Sequence, residues 1–219
     1  MERQSCLTDP DSLIVADASI VINLNATEYS ERILDALPNR LLVVEEVSLE
    51  LETGRHKGNT DADDLSVLVS AGHVELVKLG EVGTKSFENL IIGSASETLD
   101  DGEAATIAYA IERGAIALID ERKANRICAE RFPALQIGCT VDILAHPSVQ
   151  TSLGLEGLGD AVFSALYHGR MRVLPHHVRW VVNTVGADRA AGCKSLPRSI
   201  RQKPSTVQNQ IIQPKRTAS

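Results

Sequence analysis

The chain has 219 residues, of which 43% are hydrophobic and 23% are charged, as is usual for a folded globular domain with room for an appendage. Aromatic residues make up only 3%, so the core is aliphatic, and this composition favours a buried parallel sheet over a base-stacking surface. The net charge of −7 is a poor match to a protein whose whole surface binds nucleic acid.

The four cysteines, Cys6, Cys128, Cys139 and Cys193, form neither a CxxC pair nor a regular spacing. This pattern predicts reduced thiols in a cytoplasmic protein and argues against a zinc site or a disulfide framework. Residues 1–12 are polar and lack a hydrophobic signal segment. No apolar run approaches the roughly 20 residues of a membrane span, so we expect no membrane association.

Short apolar runs alternate with helical segments over the first two thirds of the chain. Along the chain, the predicted strands are 13–16, 41–44, 73–79, 115–119 and 135–138, and the predicted helices are 18–25, 28–37, 45–52, 60–71, 84–92, 102–113, 121–132 and one beginning at 141–145. This alternation predicts an α/β domain over residues 12–146, with a parallel sheet flanked by helices.

The rest of the chain is predicted to form a C-terminal helical extension and a tail. After a break at 147–154, two amphipathic helices are expected at 158–168 and 175–185, giving an extension over residues 155–187. Residues 192–219 contain six basic residues and no acid and lose all hydrophobic periodicity, which predicts a disordered basic tail.

Four acidic residues occur where predicted strands end or where the following helices begin: Asp17, Glu50, Glu103 and Asp120. The carboxyl ends of parallel strands face one crevice, so these side chains are expected to converge. Carboxylates ~4 Å apart repel by about 4 kcal/mol at an effective dielectric near 20, so such a cluster requires a cation. All-oxygen ligands favour Mg²⁺ or Mn²⁺, and the sequence therefore predicts a metal-dependent phosphodiesterase. Glu46 lies on the same helical face as Glu50 and is the alternative second acid.

Three segments resemble the motifs of PIN-domain nucleases. They are DASIVINL at residues 17–24, LDDGEAATIA at 99–108 and LIDERKANR at 118–126, and the helix that carries Glu50 takes the place of the family's second acid. The chain departs from the family pattern at Val44, where proline is usual. The second and third segments look most like a prokaryotic branch related to VapC-like toxins of toxin–antitoxin pairs, which often carries a two-helix extension.

The resemblance implies a Mg²⁺- or Mn²⁺-dependent ribonuclease that hydrolyses RNA phosphodiesters. Two ions about 4 Å apart would activate water and steady the leaving oxygen. Asp17 would be the central metal ligand, Glu103 and Asp120 would complete the metal site, and Glu50 would hold a water molecule or orient a ligand. Ser19 would act through a hydrogen bond to Asp17 or to a metal-bound water.

The same resemblance suggests contacts and partners outside the acids. Arg122, Lys123 and Arg126 begin the helix beside Asp120 and are candidates for contact with RNA phosphates, although surface salt bridges would explain them equally well. Relatives of this kind usually form homodimers and are silenced by a small cognate antitoxin protein, so both are expected here.

Two other interpretations remain. The first is a non-catalytic PIN-like module that binds RNA or protein through its helical extension. The second is a phosphoacceptor domain of receiver type, which would need a lysine at the end of a later strand. No predicted strand ends in such a lysine, so the sequence gives the second interpretation little support.

Overall fold

The computed structural model describes residues 6–55, 58–94 and 97–201. Its strands are β1 (Ile14–Ala16), β2 (Leu41–Val44), β3 (Val74–Val77), β4 (Ile116–Leu118) and β5 (Ile137–Gly138). The α-helices of these residues are α1 (Ala18–Ala26), α2 (Ser30–Ala36), α3 (Glu45–Arg55), α4 (Asp61–Ser70), α5 (Glu81–Ile91), α6 (Asp101–Arg113), α7 (Arg122–Arg131), α8 (Thr140–Leu144), α9 (Pro147–Tyr167), α10 (Val178–Val185), α11 (Ala187–Gly192) and α12 (Arg198–Arg201), with a 3-10 turn at Pro175–His177. Every element predicted up to residue 145 is present.

The five strands form one parallel sheet in the order β3-β2-β1-β4-β5. The chain passes outward from β1 through β2 to β3, then returns to the other side of β1 to form β4 and β5. The strand order therefore reverses between β1 and β4. In an open α/β sheet the crevice beyond the carboxyl ends at such a reversal is where ligands bind. The α/β prediction with a parallel sheet flanked by helices is confirmed.

The central strands are short and apolar because both faces of the sheet are covered. In β1, Ile14 and Ala16 join the hydrophobic cluster on one face and Val15 joins the cluster on the other. All three side chains are fully buried. Ile14 and Val15 each contribute about 1.5–3 kcal/mol through their removal from water, which helps to hold the strand in place.

Helix caps fix the two chain turns that carry acids. Asp17 is the N-cap of α1 and accepts a hydrogen bond from the backbone N–H of Ser19. Asp100 is the N-cap of α6 and accepts from the backbone N–H of Glu103. At the other end of α6, Gly114 adopts φ 66°, the left-handed conformation that commonly ends a helix.

The C-terminal extension packs on the same core as the sheet. The break expected at 147–154 is limited to Gly154, because α9 begins already at Pro147 and continues to Tyr167 across non-helical backbone at that glycine. Proline is well tolerated at the first helical position, where its missing N–H has no partner to lose. The glycine that suggested a break, Gly154 with φ 69°, produces a kink inside α9. Leu158 and Val162 of α9 belong to the core cluster that also contains Ile14.

The beginning of the predicted disordered tail is ordered. Residues 192–201 include α12, and Cys193 and Leu196 are buried in the core. Their apolar side chains anchor this segment although its composition is polar and basic. The remainder of the predicted tail, residues 202–219, lies outside the described residues. None of the helices described is both long enough and apolar enough to cross a lipid bilayer.

Candidate active site

The crevice at the strand reversal contains carboxylates from three separate parts of the chain. Asp17, Glu103 and Asp120 line one cleft of about 220 Å³, together with Asp100 and Ser19. Asp17 follows β1 directly, and its backbone N–H donates to the carbonyl of Leu118 in β4 at 3.2 Å.

Asp17 is oriented by hydrogen bonds from its own helix, α1. It is 4% exposed, and the hydroxyl of Ser19 donates to its Oδ2 at 2.7 Å while the backbone N–H of Ser19 donates to Oδ1 at 3.3 Å. Burial raises the pKa of Asp17 to about 6, and the nearby carboxylate of Asp100 adds to this rise, while the Ser19 hydrogen bonds oppose it. The expected hydrogen bond between Ser19 and Asp17 is thus present in the structure.

Asp120 is held by groups that the sequence reasoning missed. The backbone N–H of Thr140 donates to its Oδ1 at 2.9 Å, and the Thr140 hydroxyl donates to Oδ2 at 2.6 Å. The side-chain amide of Asn23 donates to the same Oδ2 at 2.7 Å. Burial raises the pKa of Asp120 to about 6, against the effect of these donors, and Asp17 raises it further. The orientation of this carboxylate is therefore set by residues from α1 and α8.

Two sequence signals could have identified these partners. Thr140 follows the last strand after one intervening residue. A position just beyond a strand end is also what singled out Asp17 and Asp120. Asn23 lies in an apolar helical segment, and a buried amide there needs a polar partner. Both side chains are almost completely buried.

Glu103 lies in the first turn of α6, only 6% exposed. Burial raises its pKa to about 8, with further rises from the carboxylates of Asp100 and Asp17. Asp100 is exposed and caps the same helix. A buried carboxylate beside two others is strongly disfavoured as an anion unless a cation binds nearby.

Glu50 approaches the same carboxylates from α3. It lies in a neighbouring cleft lined also by Glu46 and Asp100, and its Oε2 lies so close to Gly102 that a Cβ there would be 2.2 Å away. Burial of the carboxyl end, followed by Asp100 and Asp17, raises the pKa of Glu50 to about 7.

Glu46, the alternative second acid, is half-buried in the same cleft. Its Oε2 has no hydrogen-bond partner among the described residues. The electrostatic influence of Asp17 and Asp100 acts on Glu50, so Glu50 is the better candidate for the second acid.

Two arginines, Arg170 and Arg172, line the same cleft as these acids, and Arg172 is paired with Glu121. Burial and neighbouring carboxylates are the causes that raise the pKa values of the four acids. No three of these acids bring ligand atoms within 4.8 Å of one another, so a metal ion shared by all of them would be held partly through water, as Mg²⁺ commonly is. An all-oxygen set of carboxylates fits Mg²⁺ or Mn²⁺.

A separate group of possible ligands lies at the start of α8. Ligand atoms of Cys139, Asp142 and His177 lie within 4.8 Å of one another. The Cys139 backbone N–H and thiol donate to Asp142 at 3.0 and 3.2 Å, which completes a capping box for α8. Burial raises the pKa of the Cys139 thiol well above its usual value, so the thiol remains a donor. These contacts account for Cys139 and Asp142 as a helix start, and His177 approaches Asp142 from the 3-10 turn.

Comparison with protein families agrees with this arrangement. A family model described as a PIN domain matches residues 13–173, which include β1 to β5 and all of α9. The chain belongs to the PIN-domain family. Comparisons with curated proteins and with solved structures give no match. PIN domains are generally metal-dependent nucleases, and the match includes the four acids of this chain.

The predicted RNA contacts occupy different settings in this PIN domain. Arg122 lines a groove beside the acid cleft, whereas Arg126 pairs with Glu130 at 2.8 Å. Lys123 is half-buried and lines neither cavity. Two arginines that sequence reasoning missed, Arg170 and Arg172, line the acid cleft itself. They follow α9, and only the folded chain brings that segment to the strand ends.

Proposed function

We propose that this PIN-domain protein is a Mg²⁺- or Mn²⁺-dependent ribonuclease that hydrolyses RNA phosphodiesters. The observation that carries the proposal is the convergence of the Asp17, Glu103 and Asp120 carboxylates in one cleft of the strand-reversal crevice. All three have raised pKa values, so the cleft is predisposed to bind cations.

Asp17, Glu103 and Asp120 would hold the metal, directly or through water, and Glu50 would hold a water molecule at the edge. When bound, divalent ions supply a water molecule activated for attack and stabilise the charge that develops on the phosphate oxygens. Ser19, Thr140 and Asn23 fix the carboxylates in advance, so little reorganisation is required when substrate binds.

The basic edge of the cleft supports a phosphate-containing substrate. Arg170 and Arg172 line the cleft together with the acids. Arg172 pairs with Glu121, which places a guanidinium group at the mouth of the cleft. Arginine suits phosphate because its planar donors can bind two oxygens at once. The choice of RNA over DNA follows from the resemblance of the three motifs to PIN-domain ribonucleases.

The test is hydrolysis of a generic single-stranded RNA with Mn²⁺ by wild type, Asp17→Asn and Asp120→Asn. Loss of an outer partner of a metal ligand typically costs 10–100-fold, so loss of a ligand should reduce cleavage by more than about 100-fold. Asp11→Asn, purified in parallel, is the matched control because Asp11 is exposed and lies before β1. Equal cleavage by wild type and Asp17→Asn would identify a contaminant and support the non-catalytic module instead.

We further propose that the protein is the toxin of a type II toxin–antitoxin pair, acting as a homodimer and inhibited by a small cognate antitoxin. The similarity of its second and third motif segments to that branch of the family supports this assignment. Expression of the wild type alone should arrest growth of the host, whereas Asp17→Asn should not. A short neighbouring gene whose product restores growth and copurifies with the chain is expected. Harmless expression of a demonstrably active enzyme would exclude the toxin role.

A further inference from the structure

A second and larger groove, of about 750 Å³, adjoins the acid cleft. Arg122 lines it from the start of α7, Tyr167 from the end of α9 and Lys194 from the segment after α11. Arg170 and Arg172 line both the groove and the acid cleft, so the two cavities share a wall. No aspartate or glutamate is among the described residues that line the groove, although the chain carries a net charge of −7. The groove is therefore a local basic surface on an acidic protein.

The two shared arginines are presented to solvent by a short extended segment. Arg170 and Arg172 are exposed, whereas the alternating Met171 and Val173 are buried in the core. The backbone N–H of Met171 donates to the carbonyl of Ala165 at 2.9 Å. This anchoring places both arginines where the groove and the acid cleft meet, and Arg172 is paired there with Glu121.

The backbone at this wall is strained. Arg170 has φ 56°, a left-handed conformation that costs a residue with a Cβ about 1–2 kcal/mol. The preceding Gly169 lies so close to α1 that a Cβ would be 2.8 Å from Asn23 Oδ1, the amide group whose nitrogen holds Asp120. Such strained positions cluster at ligand clamps.

Tyr167 adds an aromatic surface to the groove. Its side chain is 56% exposed, in a chain with few aromatic residues. The ring stacks on Phe163 with centroids 5.5 Å apart and packs edge-on against His168. One side of the ring is thus packed against the protein while much of the ring remains open to solvent.

We propose that this groove binds a single-stranded stretch of the RNA substrate next to the phosphate that is cleaved. The basic side chains contact backbone phosphates, and Tyr167 stacks on one unpaired base. Basic grooves with stacking aromatics are how proteins bind single strands, since a duplex keeps its base faces covered. This inference rests on the proposed ribonuclease function, because that function requires the RNA strand to continue from the groove into the acid cleft.

The test is binding of a fluorescein-labelled 12-nucleotide oligouridine RNA by the full chain, measured by anisotropy in EDTA over a range of salt concentrations. For single strands the slope of log K against log salt is about −0.7 per phosphate contact. Arg170→Asn/Lys194→Gln should weaken binding at least tenfold and reduce the slope by about 1.4, and asparagine tolerates the left-handed backbone at position 170. Tyr167→Ala should weaken binding about tenfold without changing the slope, whereas Tyr167→Phe should bind like wild type.

Lys85→Gln/Arg113→Gln is the matched control, because it removes the same charge from exposed positions on α5 and α6. It should bind like wild type, and unlabelled duplex RNA should compete poorly. Equal affinity and slope in wild type and the groove variants, with unchanged thermal unfolding midpoints, would overturn the groove proposal. With Mn²⁺, the groove variants should raise KM, and kcat should fall only in Arg170→Asn/Lys194→Gln, because Arg170 also lines the acid cleft. A wild type that binds through the groove but does not cleave would refute the ribonuclease proposal and leave the groove standing.

Discussion

Replacement of Asp17 by asparagine should stabilise the protein when no divalent metal is bound. Burial raises the pKa of Asp17 from 3.8 to about 6, a difference of about 2 units that corresponds to about 3 kcal/mol at 1.36 kcal/mol per unit. Above pH 6 the folded protein therefore carries this carboxylate at a cost. Asparagine removes the charge and is an equally good helix N-cap. It accepts a weaker hydrogen bond from Ser19, which offsets about 1 kcal/mol.

We therefore expect Asp17→Asn to raise the free energy of unfolding by about 1–2 kcal/mol at pH 8 in EDTA, or about 3–6 °C in Tm. The effect of this substitution on the free energy of unfolding depends on pH. Because the folded pKa is raised, the folded state binds more protons than the unfolded state between about pH 4 and 6, so the stability of the wild type falls as pH rises through that window. Below pH 4 the side chain is protonated in both states, and the advantage of the variant should disappear.

Divalent metal should make the wild type more stable than Asp17→Asn. Mn²⁺ at 100 times its dissociation constant adds about 2.7 kcal/mol to the wild type, whereas Asp17→Asn should lose most of that gain. Urea unfolding followed by circular dichroism at pH 4 and pH 8, with EDTA and with Mn²⁺, measures these effects. Asp11→Asn should show neither. A variant less stable than wild type at pH 8 in EDTA would refute the claim that the folded protein carries the Asp17 carboxylate at a cost.

Three further predictions concern individual residues. Gly102→Ala should leave the protein folded, since alanine favours the helix. Its Cβ would displace Glu50 Oε2 and should therefore lower the affinity for Mn²⁺. A Mn²⁺ affinity unchanged in thermal shift assays would exclude Glu50 from the site. Thr140→Val should remove a hydroxyl donor from Asp120 and cost about 1.5–3 kcal/mol at pH 8, with RNA cleavage reduced 10–100-fold; normal cleavage would show that the acid needs no such support. Of the four thiols, the exposed Cys6 alone should react rapidly with Ellman's reagent in the native protein, and a second fast thiol would contradict the described burial.

The sequence was sufficient for the sheet and for the positions of the acids, because both follow from local patterns. Short apolar runs predicted the strands, and the rule that parallel strand ends share an edge predicted that Asp17, Glu103 and Asp120 would meet. The assignment of metal-binding and catalytic roles to these residues stays a prediction.

The supporting groups could not be read from local patterns. The hydrogen bond from Asn23 to Asp120 joins residues 97 positions apart, and it depends on how α1 packs against α8. The basic groove draws on α7, α9 and the segment beyond α11, so no short motif encodes it. Pro147 and Gly154 were misread because the same residues that end helices also begin or bend them.

The contact between His177 and Asp142 has a consequence for how the molecule can be divided. His177 Nε2 lies 3.8 Å from Asp142 Oδ1. Asp142 belongs to the capping box at the start of α8. Thr140, in the same helical turn, donates hydrogen bonds to Asp120. A chain cut after residue 146 would keep Asp17, Glu50, Glu103 and Asp120. It would lose His177, and with it the contact to the helix start that supports Asp120. We therefore expect the smallest active unit to extend past residue 146, at least through the 3-10 turn at Pro175–His177.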